Sequence, residues 1–167
     1  LQQSSAASDV YKRQYQLHAS PNHPKSRGEI TLNSSDPYDY PKILFNYLKE
    51  EEDLKQTREC IHVARKILSQ PALAEHAGDE VGPGFDAQSD DELNEYIRSK
   101  ADTAYHPCGT CKMGVDDMAV VDQDLKVNGI GNLRVIDASV IPEIPSANLN
   151  APTLMIAEKG SEAILNN

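Results

Sequence analysis

Six residues, His106-Pro107-Cys108-Gly109-Thr110-Cys111, hold the densest reactive chemistry in the chain. A histidine beside a C-x-x-C pair first suggests metal or redox chemistry. A zinc deaminase carries P-C-x-x-C but also needs an upstream H-x-E, whose glutamate is the general acid/base. Here His18, His23, His62 and His76 are followed two positions on by Ser20, Lys25, Ala64 and Gly78, so a deaminase site is excluded. A structural zinc site needs four ligands in a closed tetrahedron. There is no second C-x-x-C or paired histidine, and Cys60 alone does not complete a set. A thioredoxin-like pair belongs at a helix N-terminus after a strand, whereas Gly109-Thr110 fall in a Pro/Gly turn. The sulfurs are therefore expected as small buried packing groups in a tight loop, and no metal is expected.

That leaves His106. An imidazole suits the removal of a hydroxyl proton near neutral pH. It stands between Tyr105 and Pro107, in a loop whose Gly109 and Gly114 permit close approach to a ligand. A general base is one expectation; an ordinary structural histidine is the other. Other reactive signatures are absent. Gly129-x-Gly131 is followed three residues later by Arg134 and precedes an apolar run instead of following one, so it is not a dinucleotide fingerprint. Neither a Walker motif nor G-x-S-x-G occurs.

The elements that must position these groups follow from periodicity. Tyr15, Leu17 and Ala19 alternate with polar residues, as do residues 28–32, and Ile43-Leu44-Phe45 forms a third apolar segment; strands are expected at each. Four acids at Glu50–Asp53 open a helical stripe of Leu54, Ile61, Ala64, Ile67 and Leu68, and Pro71 closes it. Ser89 with Glu92 predicts a capping box and a helix through Lys100. Leu133–Asp137 reads as a short strand. Ala151-Pro152-Thr153 opens a last helix whose Leu154, Ile156, Ala157, Ala163 and Ile164 predict burial.

Composition narrows the function classes. Sixteen Lys plus Arg against 26 Asp plus Glu give a net charge of −10, which phosphate backbones and anionic lipid repel, so no nucleic-acid partner is expected. The 167 residues suit one domain or a piece of one. With 39% hydrophobic residues, two Phe and no Trp, the core is thin for this length, and some apolar surface should await a partner. Three cysteines, an odd and sparse set, fit a reducing compartment better than a disulfide scaffold. No run of 18 apolar residues and no leader pattern is present. Residues 1–14, LQQSSAASDVYKRQ, lack a Met start and an apolar period and read as a non-native scar.

Three blocks then carry a family likeness: AYHPCGTCKMG (104–114), AVVDQDLKVNGIGNLRVIDASVIP (119–142) and PSANLNAPTLMIAEK (145–159). Together with SRGEITLNSSDP (26–37) and FNYLKEEEDLKQTRECIHVARKI (45–67), they resemble the C-terminal part of the glucose–methanol–choline (GMC) flavoprotein oxidoreductases, and most of all the choline-oxidising subgroup. The resemblance spans about residues 15–167. It implies an α+β chain: an antiparallel sheet with helices forming the substrate-binding region (15–112), then a strand and helix (113–167) that complete an α/β FAD domain whose N-terminal Rossmann part lies outside this sequence. That missing FAD domain would be the chain's partner, and the piece alone would be inactive.

The resemblance also implies roles. FAD accepts a hydride from an alcohol carbon while His106 takes the hydroxyl proton. Asn148 hydrogen-bonds the substrate oxygen. Tyr105 faces the trimethylammonium group of choline. Asp137, Ala138, Asn148, Asn150, Ala151, Pro152 and Thr153 lie along the flavin. Much of the pocket, including a carboxylate to balance choline's charge, would lie outside the chain, as would any membrane contact. Another primary alcohol as substrate, or a fragment serving only structure or interaction, are the alternatives.

Overall fold

The computed structural model describes residues 14–166, so the expected scar at 1–14 lies almost wholly outside the described residues. The fold is α+β. In order come strands β1 (Glu29–Thr31) and β2 (Lys42–Leu44), helix α1 (Glu51–Leu68), a 3-10 turn (Pro71–Leu73), helix α2 (Asp90–Lys100), a second 3-10 turn (Ala138–Val140) and helix α3 (Asn150–Leu165). The strands pair antiparallel with Ile30 opposite Ile43.

Local signals set the first two helices. Glu51, Glu52 and Asp53 occupy the first turn of α1, and Arg65 and Lys66 its last, so both ends complement the macrodipole. The expected capping box on α2 forms: the Ser89 side chain accepts from the Glu92 N–H, and the Glu92 carboxylate accepts from the Ser89 N–H. Leu54 of α1 and Leu93 and Ile97 of α2 are buried where the two helices pack. Polar ties reinforce the pair. Arg58 donates from Nη1 to Asn94 Oδ1 at 2.6 Å, and its Nη2 lies 3.3 Å from Asp90 Oδ2. Arg65 Nη2 donates to the Gly84 and Ala87 carbonyls while Nε meets Glu80, which folds the irregular 80–87 segment onto α1.

A second core holds the rest. Val121, Leu125, Val140, Ile141, Leu149 and Ile156 are buried together, with Cys108, Met113, Ile136 and Ile144 packed against them. Gly160 lets α3 approach this core: a Cβ there would come 2.5 Å from Ile136 Cγ2, closer than packing permits.

Three expectations need correction. Residues 15–20 form no strand; their alternation marks a two-faced segment, but no ladder partner lies beside it among the described residues. Leu133–Asp137 makes one bridge, Lys126 to Arg134, and two backbone bonds, the Val135 N–H to the Leu125 carbonyl and the Val127 N–H to the Leu133 carbonyl. Its apolar residues pack onto a core of loops, with no sheet to join. Helix α3 is half-buried: Ile156 and Gly160 face the core, whereas Leu154 is 60% exposed and Met155 and Ile164 are also exposed. The cysteines are half-buried free thiols. No helix among the described residues is long and apolar enough to cross a membrane.

One buried acid anchors the N-terminal segment. Asp53 is 2% exposed and accepts from the backbone N–H of Lys25 at 2.6 Å and of Ser26 at 2.7 Å. Burial pushes its carboxyl up, but the Ser26 hydroxyl, the two backbone donors and the Arg27 charge outweigh burial and hold it below the ordinary 3.8. A depressed folded value means that its stabilisation is full above the ordinary value and fades as pH falls through the lower folded one. Asp53→Ala is expected to cost roughly 2 kcal/mol, the scale of hydrogen bonds to a charged group. Thermal unfolding at about pH 7 should show that loss, and at about pH 3 the gap between variant and parent should narrow. A gap independent of pH would rule out the charged carboxylate as the source.

Candidate active site

Two loops converge on the second core. The first carries His106. Its continuation is tied to the second 3-10 turn by backbone bonds, Cys111 N–H to the Ser139 carbonyl at 3.0 Å and Met113 N–H to the Val140 carbonyl at 2.8 Å. Gly109 makes this possible. It adopts φ +90°, a left-handed conformation that suits glycine, while the space around it would admit a Cβ at ordinary contact distance from the Ile141 carbonyl. Cys108, two residues from the histidine, packs into the core and moors the loop. Burial pushes the Cys108 thiol up, with Arg27 opposing weakly, so it stays a protonated packing group at neutral pH.

The second loop runs from Pro142 to Asn148. Buried Ile141 and Leu149 pin its ends. Asn148 therefore sits directly before a fixed residue, and His106 two residues before one. The result is one contact: Asn148 Nδ2 lies 3.0 Å from His106 Nε2. An amide NH2 donates and cannot accept. Nε2 is thus the lone-pair nitrogen, the form a general base requires. His106 is half-buried and Asn148 exposed, so the pair opens to solvent and can meet a ligand.

The other expected residues fall around this pair to different degrees. Tyr105 immediately precedes His106, is 76% exposed and takes φ 59°. Its N–H donates to Thr103 Oγ1. It is not core among the described residues, and a left-handed tyrosine costs on the order of 1–3 kcal/mol, strain that recurs at functional sites. Asp137 caps the second 3-10 turn, its Oδ1 accepting from the Ser139 N–H at 2.8 Å and from the Ser139 hydroxyl. Ala138 lies in that turn, which the His106 loop pairs with. Asn150, Ala151, Pro152 and Thr153 form the first turn of α3. Thr153 spends its hydroxyl on the Leu149 carbonyl at 2.7 Å. No side chain caps α3, and, unlike α1 and α2, it has no acid in its first turn.

A second histidine escaped the sequence reading. His23, considered there only as a deaminase ligand, reaches the Asn148 loop with both ring nitrogens. Its partners lie more than 120 positions away, and no local pattern could have signalled it.

Comparison with known proteins sets this geometry in a family. The family model for GMC oxidoreductase matches residues 24–157. The chain is 49% identical over 155 residues to the oxygen-dependent choline dehydrogenase of Klebsiella pneumoniae subsp. pneumoniae, covering 93% of this chain and 28% of that protein. It is likewise 49% identical to the enzyme of the same name from Photobacterium profundum, of which it covers 27%. Among solved structures, it resembles pyridoxine 4-oxidase from Mesorbium loti with a TM-score of 0.82 at 33% identity, covering 87% of this chain and 28% of that one. A fungal aryl-alcohol oxidase follows with a TM-score of 0.80 at 35% identity, over 87% of this chain and 24% of that one. The chain thus spans little more than a quarter of the length of the curated relatives it matches. With the match running through both loops of the His106–Asn148 pair, the chain belongs to the GMC oxidoreductase family.

Proposed function

We propose that this chain is the catalytic C-terminal part of an FAD-dependent dehydrogenase that oxidises a primary alcohol, choline foremost, to its aldehyde. The observation that carries the reading is the His106–Asn148 pair: a lone-pair imidazole nitrogen and an amide donor 3.0 Å apart, facing solvent together. An alcohol oxygen placed against both would give its proton to His106 Nε2. Asn148 would donate to the same oxygen as negative charge develops there. Tyr105 offers an exposed aromatic face to a quaternary ammonium group.

The residues present fit a flavin. The first turn of α3 is positive, uncapped and free of acids, so its N–H groups suit an electron-rich group supplied from outside the helix. Reduced flavin carries negative charge near N1 and C2=O, which matches that need. The neighbouring Leu154 and Met155 are exposed apolar side chains, suited to cover by the rest of the protein. Asn150 and Ala151 would offer N–H groups to the flavin's polar edge, Pro152 and Thr153 would lie along it, the Thr153 N–H and hydroxyl both being bonded to the Leu149 carbonyl, and Asp137 and Ala138 would lie nearby. When bound, the flavin supplies the hydride acceptor. In this reading residues 15–112 serve the substrate and residues 113–167 serve the FAD domain.

The test uses the full-length protein, with flavin reduction followed under anaerobic conditions. Choline is expected to reduce the flavin at least about 10-fold more efficiently than an alkyl alcohol or a polyol, about 1.4 kcal/mol of discrimination. A faster alkyl alcohol would move the substrate class. Failure of every alcohol to reduce the flavin would end the enzymatic reading and favour a structural or interaction role.

A further inference from the structure

We propose that His23 is a positioning residue that holds the Asn148 loop against His106. Its relevance to turnover rests on the function proposed above; the clip itself rests on geometry alone.

Among the described residues, no backbone–backbone hydrogen bond involves residues 142–148. The stretch has two prolines, Pro142 and Pro145, and neither has an N–H to give. Three side-chain bonds hold it. One is the Asn148–His106 contact itself. The other two come from His23, with Nδ1 3.1 Å from the Ile144 carbonyl oxygen and Nε2 2.8 Å from Ser146 Oγ. A carbonyl only accepts, so Nδ1 carries the proton. In the neutral ring Nε2 then accepts from the Ser146 hydroxyl. The imidazole thus uses both nitrogens on one three-residue span, ending two residues before Asn148.

A clip positions only if its other end is fixed. Here Lys25 and Ser26, just past His23, give their N–H groups to buried Asp53. Ser26 Oγ also accepts from the Glu50 N–H at 3.0 Å, at the start of α1. The hold on Asn148 therefore runs back through His23 to the buried first turn of α1. Without it, Ile144 packing alone would restrain the middle of the loop, and Asn148 would sample positions away from His106. Reactions that need a donor in one place lose rate steeply with small misplacement.

The experiment uses the flavin-loaded full-length protein and the variants His23→Ala, His23→Gln and Ser146→Ala. Two quantities are read: the order of 142–148 in crystal structures of parent and variants, and the limiting rate of flavin reduction with its KM, normalised to bound flavin. His23→Ala should raise the B-factors of 142–148 about twofold relative to the flanking residues. It should lower the limiting rate about 10-fold with KM within about twofold, because Asn148 acts on charge that develops in the transition state. Ser146→Ala should give a smaller change in the same direction. Glutamine offers one donor and one acceptor and should recover to within about threefold. An unchanged order of 142–148 in His23→Ala overturns the clip, whatever the rate. A loosened loop with an unchanged rate overturns the positioning role. His106→Ala serves as the control: if it still reduces flavin normally, the proposed function fails, while the order of the loop still decides the clip.

Discussion

His106→Ala in the full-length protein should cut the rate of flavin reduction by alcohol about 10²- to 10⁴-fold, the range for a general base. Bound flavin should stay at the level of the parent, since the side chain is half-buried, lies on a loop and supports no core contact beyond those of Cys108. The reasoning starts from Nε2. Asn148 donates to it at 3.0 Å, so the nitrogen that faces the open side of the site holds the lone pair. Alanine leaves the alcohol oxygen with its amide donor but without a proton acceptor. Added imidazole should restore part of the rate, because the alanine leaves a space of matching chemistry. A normal rate in the variant would remove His106 from the chemistry. Loss of flavin together with rate would point to a structural role.

Asn148 should rank next. Removing one preorganised donor to a developing oxyanion costs about 10²- to 10³-fold in limiting rate, and Asn148→Ala is expected within that range with a smaller change in KM. The substitution series carries more information than the alanine alone. Histidine keeps an N–H donor at this position and should retain much of the rate. Aspartate is nearly isosteric but only accepts when ionised. Beside Nε2 it would draw a proton onto the imidazole and hold it there, so Asn148→Asp should lose at least as much as alanine. An aspartate variant as active as asparagine would show that the donor is irrelevant, and a rate for alanine within about threefold of the parent would do the same.

The long α1 and α2 could be read from the sequence because their causes are local. Acids in a first turn, a Ser-to-Glu capping box and a stripe at helical spacing all act within a few residues of one another. The short strands were legible where a partner followed closely: β1 and β2 are separated by a turn of polar residues and find each other. Where pairing had to come from afar, the local signal misled. Residues 15–20 alternate and residues 133–137 are an apolar run, yet no strand forms at the first and only isolated contacts at the second, because neither signal names the neighbour. The burial of α3 was overstated for a similar reason. A run as apolar as residues 154–157 declares that it will be covered, while the described residues cover one stripe of the helix, around Ile156 and Gly160.

For the site, residue type and motif blocks marked which groups could carry chemistry: an imidazole in a glycine loop, an amide after a proline-rich loop, a helix start without a cap. Those are properties of short stretches and survive without a fold. Only the tertiary structure decided that His106 and Asn148, 42 positions apart, meet nitrogen to nitrogen. It alone brought His23 onto Ile144 and Ser146 and tied that contact back to Asp53. The physical reason is chain closure. A contact between distant residues depends on every intervening element packing first, here the second core, which pins Cys108, Ile141 and Leu149, and no local preference encodes where such loops come to rest.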